Sequence, residues 1–340
     1  MTLARDAAPR ARTAARDGKA ARADAEARDG AEGVAELAGR AMTAMSEVLD
    51  GKPEAIELAW TVLLAEGHLL VEDVPGVGKT LLAKCLSAVV GGVSRRIQFT
   101  PDLLPSDVIG VNVFDTQSKT FRFRRGPIFA NIVIGDEINR ASPKTQSALL
   151  ESMAERQASV DGETYELSPP FMVVATQNPV DMEGTYPLPE AQRDRFMARI
   201  SIGYPAPSDE ITMLTTHART DPLAGLEPTC SADDVLAAVE AVRHVRASDE
   251  LKDYIVRLLA ETRDPGKFTL GASPRSGLHL LKASMARAAM QGRGYVLPDD
   301  VKALATSVLT HRLIAKPALT FGGETPASLL EDIVSTLPVH

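Results

Sequence analysis

The pattern of apolar and polar positions changes character near Pro205. Before it, short apolar runs bounded by turn residues alternate with segments of helical spacing. The strand candidates are His68 to Val71, Arg96 to Phe99, Ile132 to Ile134, Phe171 to Thr176 and Phe196 to Ile200. Several are continuous apolar runs, as expected of parallel strands covered on both faces. Ala35 to Leu49 and Glu54 to Glu66 read as helices, separated by the break Asp50-Gly-Lys-Pro53. This alternation predicts an α/β fold with a doubly wound parallel sheet. After Pro205 the strand signal vanishes. Ala232 to Val245, Ser248 to Arg263, Ser276 to Gln291 and Pro298 to Leu313 have amphipathic spacing and predict a small all-α domain. Ser231 with Asp234, and Pro298-Asp-Asp300, look like helix starts.

Two stretches alternate with period two inside the first region. Gly110 to Arg125 predicts a hairpin around Asp115 to Lys119. Gln157 to Leu167 predicts a second, turning at Asp161-Gly162, a dipeptide suited to tight hairpins. The expected organisation is therefore a tail over 1–33, an α/β core over 34–204 with inserts near 110–125 and 157–167, and a helical domain over 205–340.

The tail is rich in Ala, Arg, Asp and Gly and almost devoid of large apolar side chains. It is expected to be disordered, with a solvated helix as the alternative. Asp6, Asp17, Asp24, Glu26 and Asp29 argue against an organellar transit peptide, and no apolar core of a signal peptide is present. No apolar run is long enough to span a bilayer. The 340-residue chain carries a net charge of −8, which weighs against wrapping nucleic acid. Cys85 and Cys230 lie far apart with no C-x-x-C spacing and read as buried thiols of a reduced, cytoplasmic protein.

The chemistry-bearing residues fall at the ends of the strand candidates. Asp73-Val-Pro-Gly-Val-Gly-Lys-Thr80 follows one and precedes a helical segment, the context of a phosphate-binding P-loop. Gly76 and Gly78 let backbone N–H groups approach phosphate, and the helix N-terminus adds its dipole. Val74, Pro75, Gly76, Val77, Gly78, Lys79, Thr80 and Leu81 are the expected nucleotide contacts. Lys79 would reach the outer phosphates and Thr80 would hold Mg²⁺. Asp73 departs from G-x-x-x-x-G-K-S/T at its first position, and a carboxylate there is expected to point away from phosphate. Ile132 to Glu137 delivers two adjacent carboxylates: Asp136 for the metal and Glu137 to polarise a water. Asn178 ends the next strand candidate and is placed to touch the γ-phosphate or that water; an Asx turn before Pro179 is its structural alternative. Arg193 and Arg195 precede the last strand, and either guanidinium suits transition-state phosphate oxygens, with an Asp194 salt bridge the alternative role. Arg275 opens a helix in the second region, a poor place for a cation unless a partner such as bound phosphate supplies the charge.

With these residues assembled, the chain resembles the MoxR family of AAA+ ATPases. The resemblance rests on Glu72 to Thr80, on Gly135-Asp-Glu-Ile-Asn-Arg and its continuation to Glu151, on Ala175-Thr-Gln-Asn-Pro179 continuing through Glu183 to Gln192, on Asp194-Arg-Phe196, and on Gly271-Ala-Ser-Pro-Arg275. It covers roughly residues 35 to 340. The sequence departs at Gly51-Lys52, near the expected adenine site, and at Arg193, where Leu is usual. The resemblance implies ATP and Mg²⁺ as cofactors and Glu137, Asn178, Arg195 and Arg275 as catalytic residues, with Arg195 acting on the neighbour's nucleotide. It also implies a homo-oligomeric ring, hexameric in the family's manner, that remodels or activates a protein client beside a von Willebrand factor A domain partner. A nucleic-acid-stimulated motor, a metal-chelatase motor subunit and a binding switch without turnover are the alternatives. The basic cluster Arg122, Arg124 and Arg125 on the first hairpin could touch nucleic acid, remain solvated or face a neighbouring subunit.

Overall fold

The computed structural model describes residues 7–179, 184–217, 221 and 223–339, with side chains from residue 26 onward. The chain enters through α1 (Ala7–Ser46) and α2 (Pro53–Leu64). Then β1 (Leu69–Glu72), α3 (Lys79–Val90), β2 (Ser94–Gln98) and the short α4 (Pro105–Ile109) lead into a hairpin of β3 (Gly110–Asp115) and β4 (Thr120–Arg125). β5 (Ile132–Asp136) and α5 (Pro143–Glu155) precede a second hairpin of β6 (Gln157–Val160) and β7 (Glu163–Glu166). β8 (Met172–Gln177), α6 (Glu190–Arg193) and β9 (Ala198–Ile200) complete the α/β part.

β2, β5, β8, β1 and β9 lie side by side in that order, all parallel, so the predicted doubly wound sheet is present. Burial explains the apolar runs. Every residue of β5 is buried, as are the first five of β8. Both hairpins form where alternation placed them, the second turning at Asp161 and Gly162, each at positive φ. They touch: Asn112 Nδ2 donates to Asp161 Oδ2 at 2.7 Å, and the Phe123 and Tyr165 rings stack at 4.1 Å.

Helices α7 (Pro207–His217), α8 (Ala232–Arg243), α9 (Asp249–Glu261), α10 (Pro274–Met290) and α11 (Pro298–Leu309) follow, then α12 (Pro317–Phe321) and α13 (Pro326–Thr336). The α8 start is the expected reciprocal cap, with Ser231 Oγ accepting from Asp234 N while the Asp234 carboxylate accepts from Ser231 N. One expectation fails here. Two short strands, β10 (Phe268–Leu270) and β11 (Ile314–Ala315), pair antiparallel inside the helical region. At three and two residues they are too short to leave a period-two signal.

The expectation of a disordered tail is also corrected over residues 7–33, while residues 1–6 lie outside the described residues. Helix α1 begins at Ala7 and packs against α8 and α10; Ala27, Ala31 and Val34 are buried. Around Ala27 to Ala31 the contacts are made by the smallest side chains. A Cβ added at Gly30 would lie 3.2 Å from Ala241 Cβ, and one at Gly294 would lie 3.0 Å from the Ala27 backbone. Close backbone approach buries this face without large apolar groups, so composition gave no warning. Further along, Trp60 of α2 is fully buried and its Nε1 donates to Met45 Sδ of α1 at 3.2 Å. One apolar core therefore runs from α1–α3 and one face of the sheet into α8–α11. A second fills the opposite face, around Phe99, Leu149 and Phe196.

Candidate active site

The parallel sheet brings the C-terminal ends of β1, β5 and β8 to one edge, the usual place for a ligand in such folds. The Asp73–Thr80 loop leaves β1 there. Gly76 and Gly78 have φ of +86° and +95°, conformations open to glycine, and Gly78 caps α3. A Cβ added at Gly76 would meet nothing within 4 Å. The loop thus wraps an open concavity at a helix N-terminus, which suits phosphate.

Asp73 points away from that concavity, as expected. Its carboxylate accepts from Ser201 Oγ at 2.7 Å, Gly203 N at 2.6 Å and Val74 N at 2.8 Å. Burial works to raise its pKa, but these donors outweigh it and hold the group below the usual carboxylate range. From the other side, Lys52 Nζ donates to the carbonyls of Ile202, Gly203 and Tyr204 at 2.8, 3.2 and 2.9 Å. The segment that leaves the sheet for the helical region is therefore tied to both the P-loop and the α2 start.

Lys79 Nζ lies over the loop, donating to the carbonyls of Asp73 and, at 3.1 Å, Val74. Thr80 Oγ1 donates to Asp136 Oδ1 at 2.9 Å. Asp136 is buried and also accepts from Thr176 Oγ1 at 3.3 Å and Arg96 Nε at 2.6 Å. Glu137 follows in a left-handed conformation, φ +59°, so the two carboxylates diverge. Its Oε2 accepts from Gln98 Nε2 at 3.0 Å and lies 3.2 Å from Arg140 Nε. Asn178 is buried behind the same opening, its carbonyl accepting from Asn139 Nδ2 at 3.1 Å. Gly76, Lys79, Thr80, Asp136, Glu137 and Asn178 all line one cavity of about 300 Å³. A hydroxyl and a carboxylate side by side at a phosphate-sized concavity form an all-oxygen donor pair that fits a hard cation such as Mg²⁺.

Arg96, Gln98 and Arg140 contact Asp136 and Glu137 and were not singled out by the sequence reading. The signal for two of them was present. Arg96 and Gln98 alternate with the buried Ile97, and the β2–β5 register sets Gln98 opposite Asp136.

The remaining sequence-predicted residues lie elsewhere. Arg193, Arg195 and Arg275 do not line this cavity. Arg195 Nη1 donates to Leu150 O at 2.6 Å, and an Arg193 nitrogen lies 3.8 Å from Glu190. Arg275, expected to meet phosphate bound between the domains, has its Nη1 4.0 Å from Asp194. The α10 N-cap, Ser273, donates to the same carboxylate at 3.2 Å. Val74, Pro75, Val77 and Leu81 occupy the loop and first helical turn as expected, whereas Glu183 lies outside the described residues. A larger cleft of about 1190 Å³ runs from Gly51 and Lys52 to α10 and α11, mixing Glu54, Glu57 and Glu72 with Arg199 and Arg287. It contains none of the P-loop residues. Cys85 and Cys230 are buried and free, and burial pushes the Cys85 thiol up to about 12. Among the described residues no helix is long and apolar enough to cross a membrane.

Comparison with known proteins agrees with this geometry. The sequence model of the ATPase family associated with various cellular activities (AAA) matches residues 68–198, and that of the AAA lid domain matches residues 260–333. Chaperone MoxR1 of Mycobacterium tuberculosis is 42% identical over 84% of this chain and 78% of its own length. Protein MoxR of Paracoccus denitrificans is 32% identical over 88% of this chain and 95% of its own. A crystal structure of a Cytophaga hutchinsonii protein, 35% identical, superposes with a TM-score of 0.82 over 95% of this chain and 98% of that one. The chain belongs to the MoxR family of AAA+ ATPases.

Proposed function

We propose that this protein binds ATP with Mg²⁺ in the P-loop cavity and hydrolyses it to ADP and phosphate as one subunit of a cytoplasmic homo-oligomeric ring, hexameric as the family resemblance implies. The carrying observation is that Thr80, Asp136, Glu137 and Asn178 meet at one cavity above the glycine loop. In this reading Thr80 and Asp136 hold the cation, which when bound supplies positive charge against the phosphate oxygens. Glu137 polarises the attacking water, and Asn178 fixes that water or the γ-phosphate. Lys79 exchanges loop carbonyls for phosphate oxygens. The absence of Arg193 and Arg195 from the cavity lining supports service to a neighbouring subunit's nucleotide, with Arg195 the assigned finger, while Arg275 would meet phosphate from the side of the helical region.

The name of the relative Chaperone MoxR1 supports the further step, a ring that remodels or activates a protein client. A von Willebrand factor A domain partner is carried by the family resemblance alone. Phosphate release by assembled protein tests the reading. Wild type should turn over, and Glu137→Gln should bind ATP yet lose roughly 10²- to 10⁴-fold in rate. Arg195→Ala should also bind ATP and lose about 10³- to 10⁵-fold. Full turnover in Glu137→Gln would contradict it. Stimulation by added DNA would favour a nucleic-acid motor instead.

A further inference from the structure

The three residues Asp194–Phe196 are gripped by the helical region that follows the sheet. Arg312, in the single 3-10 turn Thr310–Arg312 after α11, is the centre of that grip, its side chain 3% exposed. Its Nε lies 3.0 Å from Asp194 Oδ1, an ion-pair contact without hydrogen-bond alignment. Its Nη2 donates to the carbonyls of Phe196 at 2.5 Å and Asp194 at 3.3 Å, and to His279 Nδ1 at 2.6 Å. His311 Nε2 lies 3.2 Å from the same Phe196 carbonyl. From the start of α10, Ser273 and Arg275 reach the Asp194 carboxylate. The gripped segment contains one finger arginine and directly follows the other.

Burial pulls Arg312 down to about 10 while Asp194 pushes the other way, so the guanidinium is charged at neutral pH. A buried cation of this kind is stable only while its carboxylate and carbonyls stay in place, and a planar fork binds them at fixed angles. The segment cannot shift without Arg312, and Arg312 cannot shift without the end of α11. Neither Asp194 nor Arg312 lines the chain's own P-loop cavity.

We propose that Asp194 and Arg312 are positioning residues: their pairing makes the Arg193–Arg195 segment ride with the helical region, so that this region's position sets the reach of the arginine toward the adjoining subunit's nucleotide. The inference rests on the trans-arginine reading given above, and its test separates the two. Asp194→Asn should bind ATP within about threefold of wild type and lose about 10²-fold in turnover, as expected for an ångström-scale misplacement. Mixed with Lys79→Ala, it should regain turnover. The Asp194→Asn subunits then contribute the nucleotide, and the Lys79→Ala subunits contribute a correctly held arginine. Arg195→Ala mixed with Lys79→Ala provides the reference for trans action, with Arg193→Ala in its place if Arg195→Ala alone keeps full turnover. Arg312→Lys, which keeps the cation but cannot span carboxylate and carbonyls together, carries the test if Asp194→Asn does not fold. Regain comparable to the reference pair supports the proposal. Full turnover by Asp194→Asn alone, or no regain where the reference pair regains, overturns it. No regain in either mixture overturns the trans reading itself and this inference with it.

Discussion

Thr80 Oγ1 donates to Asp136 Oδ1 at 2.9 Å across 56 residues of sequence. The contact joins the two halves of the site, one carried by the P-loop and one by β5. Thr80→Val keeps the branched shape and removes the hydroxyl, leaving Oδ1 with Thr176 alone. A magnesium titration of turnover should then show a half-saturating concentration raised about tenfold, the effect of one lost oxygen ligand. ATP binding measured in EDTA should be unchanged. An unaltered magnesium requirement would remove Thr80 from the metal site.

Asp73→Gly restores the glycine usual at the first P-loop position, yet should not improve nucleotide affinity. The carboxylate serves the interdomain segment, and its loss leaves Gly203 N and Ser201 Oγ without an acceptor. The expected cost is about 1–3 kcal/mol in urea unfolding. Tighter ATP binding without loss of stability would show that Asp73 opposes phosphate after all.

His68 joins β1 to its neighbours. Its Nε2 faces Met153 O at 3.1 Å, while Nδ1 accepts from Val173 N at 3.0 Å, an arrangement that requires the neutral ring. Burial lowers its pKa from 6.5 to about 4, and burial followed by the Arg312 charge lowers His279 to about 3. Because the folded pKa lies below the unfolded one, the unfolded chain binds more protons in this window. The stability is present above pH 6.5 and is lost as pH falls toward about 4. Each such histidine contributes a slope of about 1.4 kcal/mol per pH unit. Urea unfolding of His68→Gln between these limits should show a shallower dependence than wild type by about that amount. Equal slopes would mean that His68 is not buried neutral.

Much of the candidate site was legible because its residues are bound to short-range chemistry. A glycine loop between a strand and a helix, and paired carboxylates at a strand end, each declare themselves within a few residues. The sheet followed from continuous apolar runs such as Met172 to Ala175, and the hairpins from alternation about Asp161-Gly162. What stayed hidden depends on long-range packing. Helix α1 buries Ala27 and Ala31 through backbone proximity to α8 and the Gly294 turn, and alanines carry no periodic apolar signal strong enough to reveal it. Arg312 meets Asp194 across 118 residues, and nothing around either position marks the pairing.

The most direct test is an equilibrium titration of folded wild-type protein with ATP at millimolar magnesium, run beside Lys79→Ala. The account predicts saturable binding of one nucleotide per subunit by wild type and none by the variant. Absence of binding by wild-type protein whose fold is verified by circular dichroism, or equal binding by both, would contradict it.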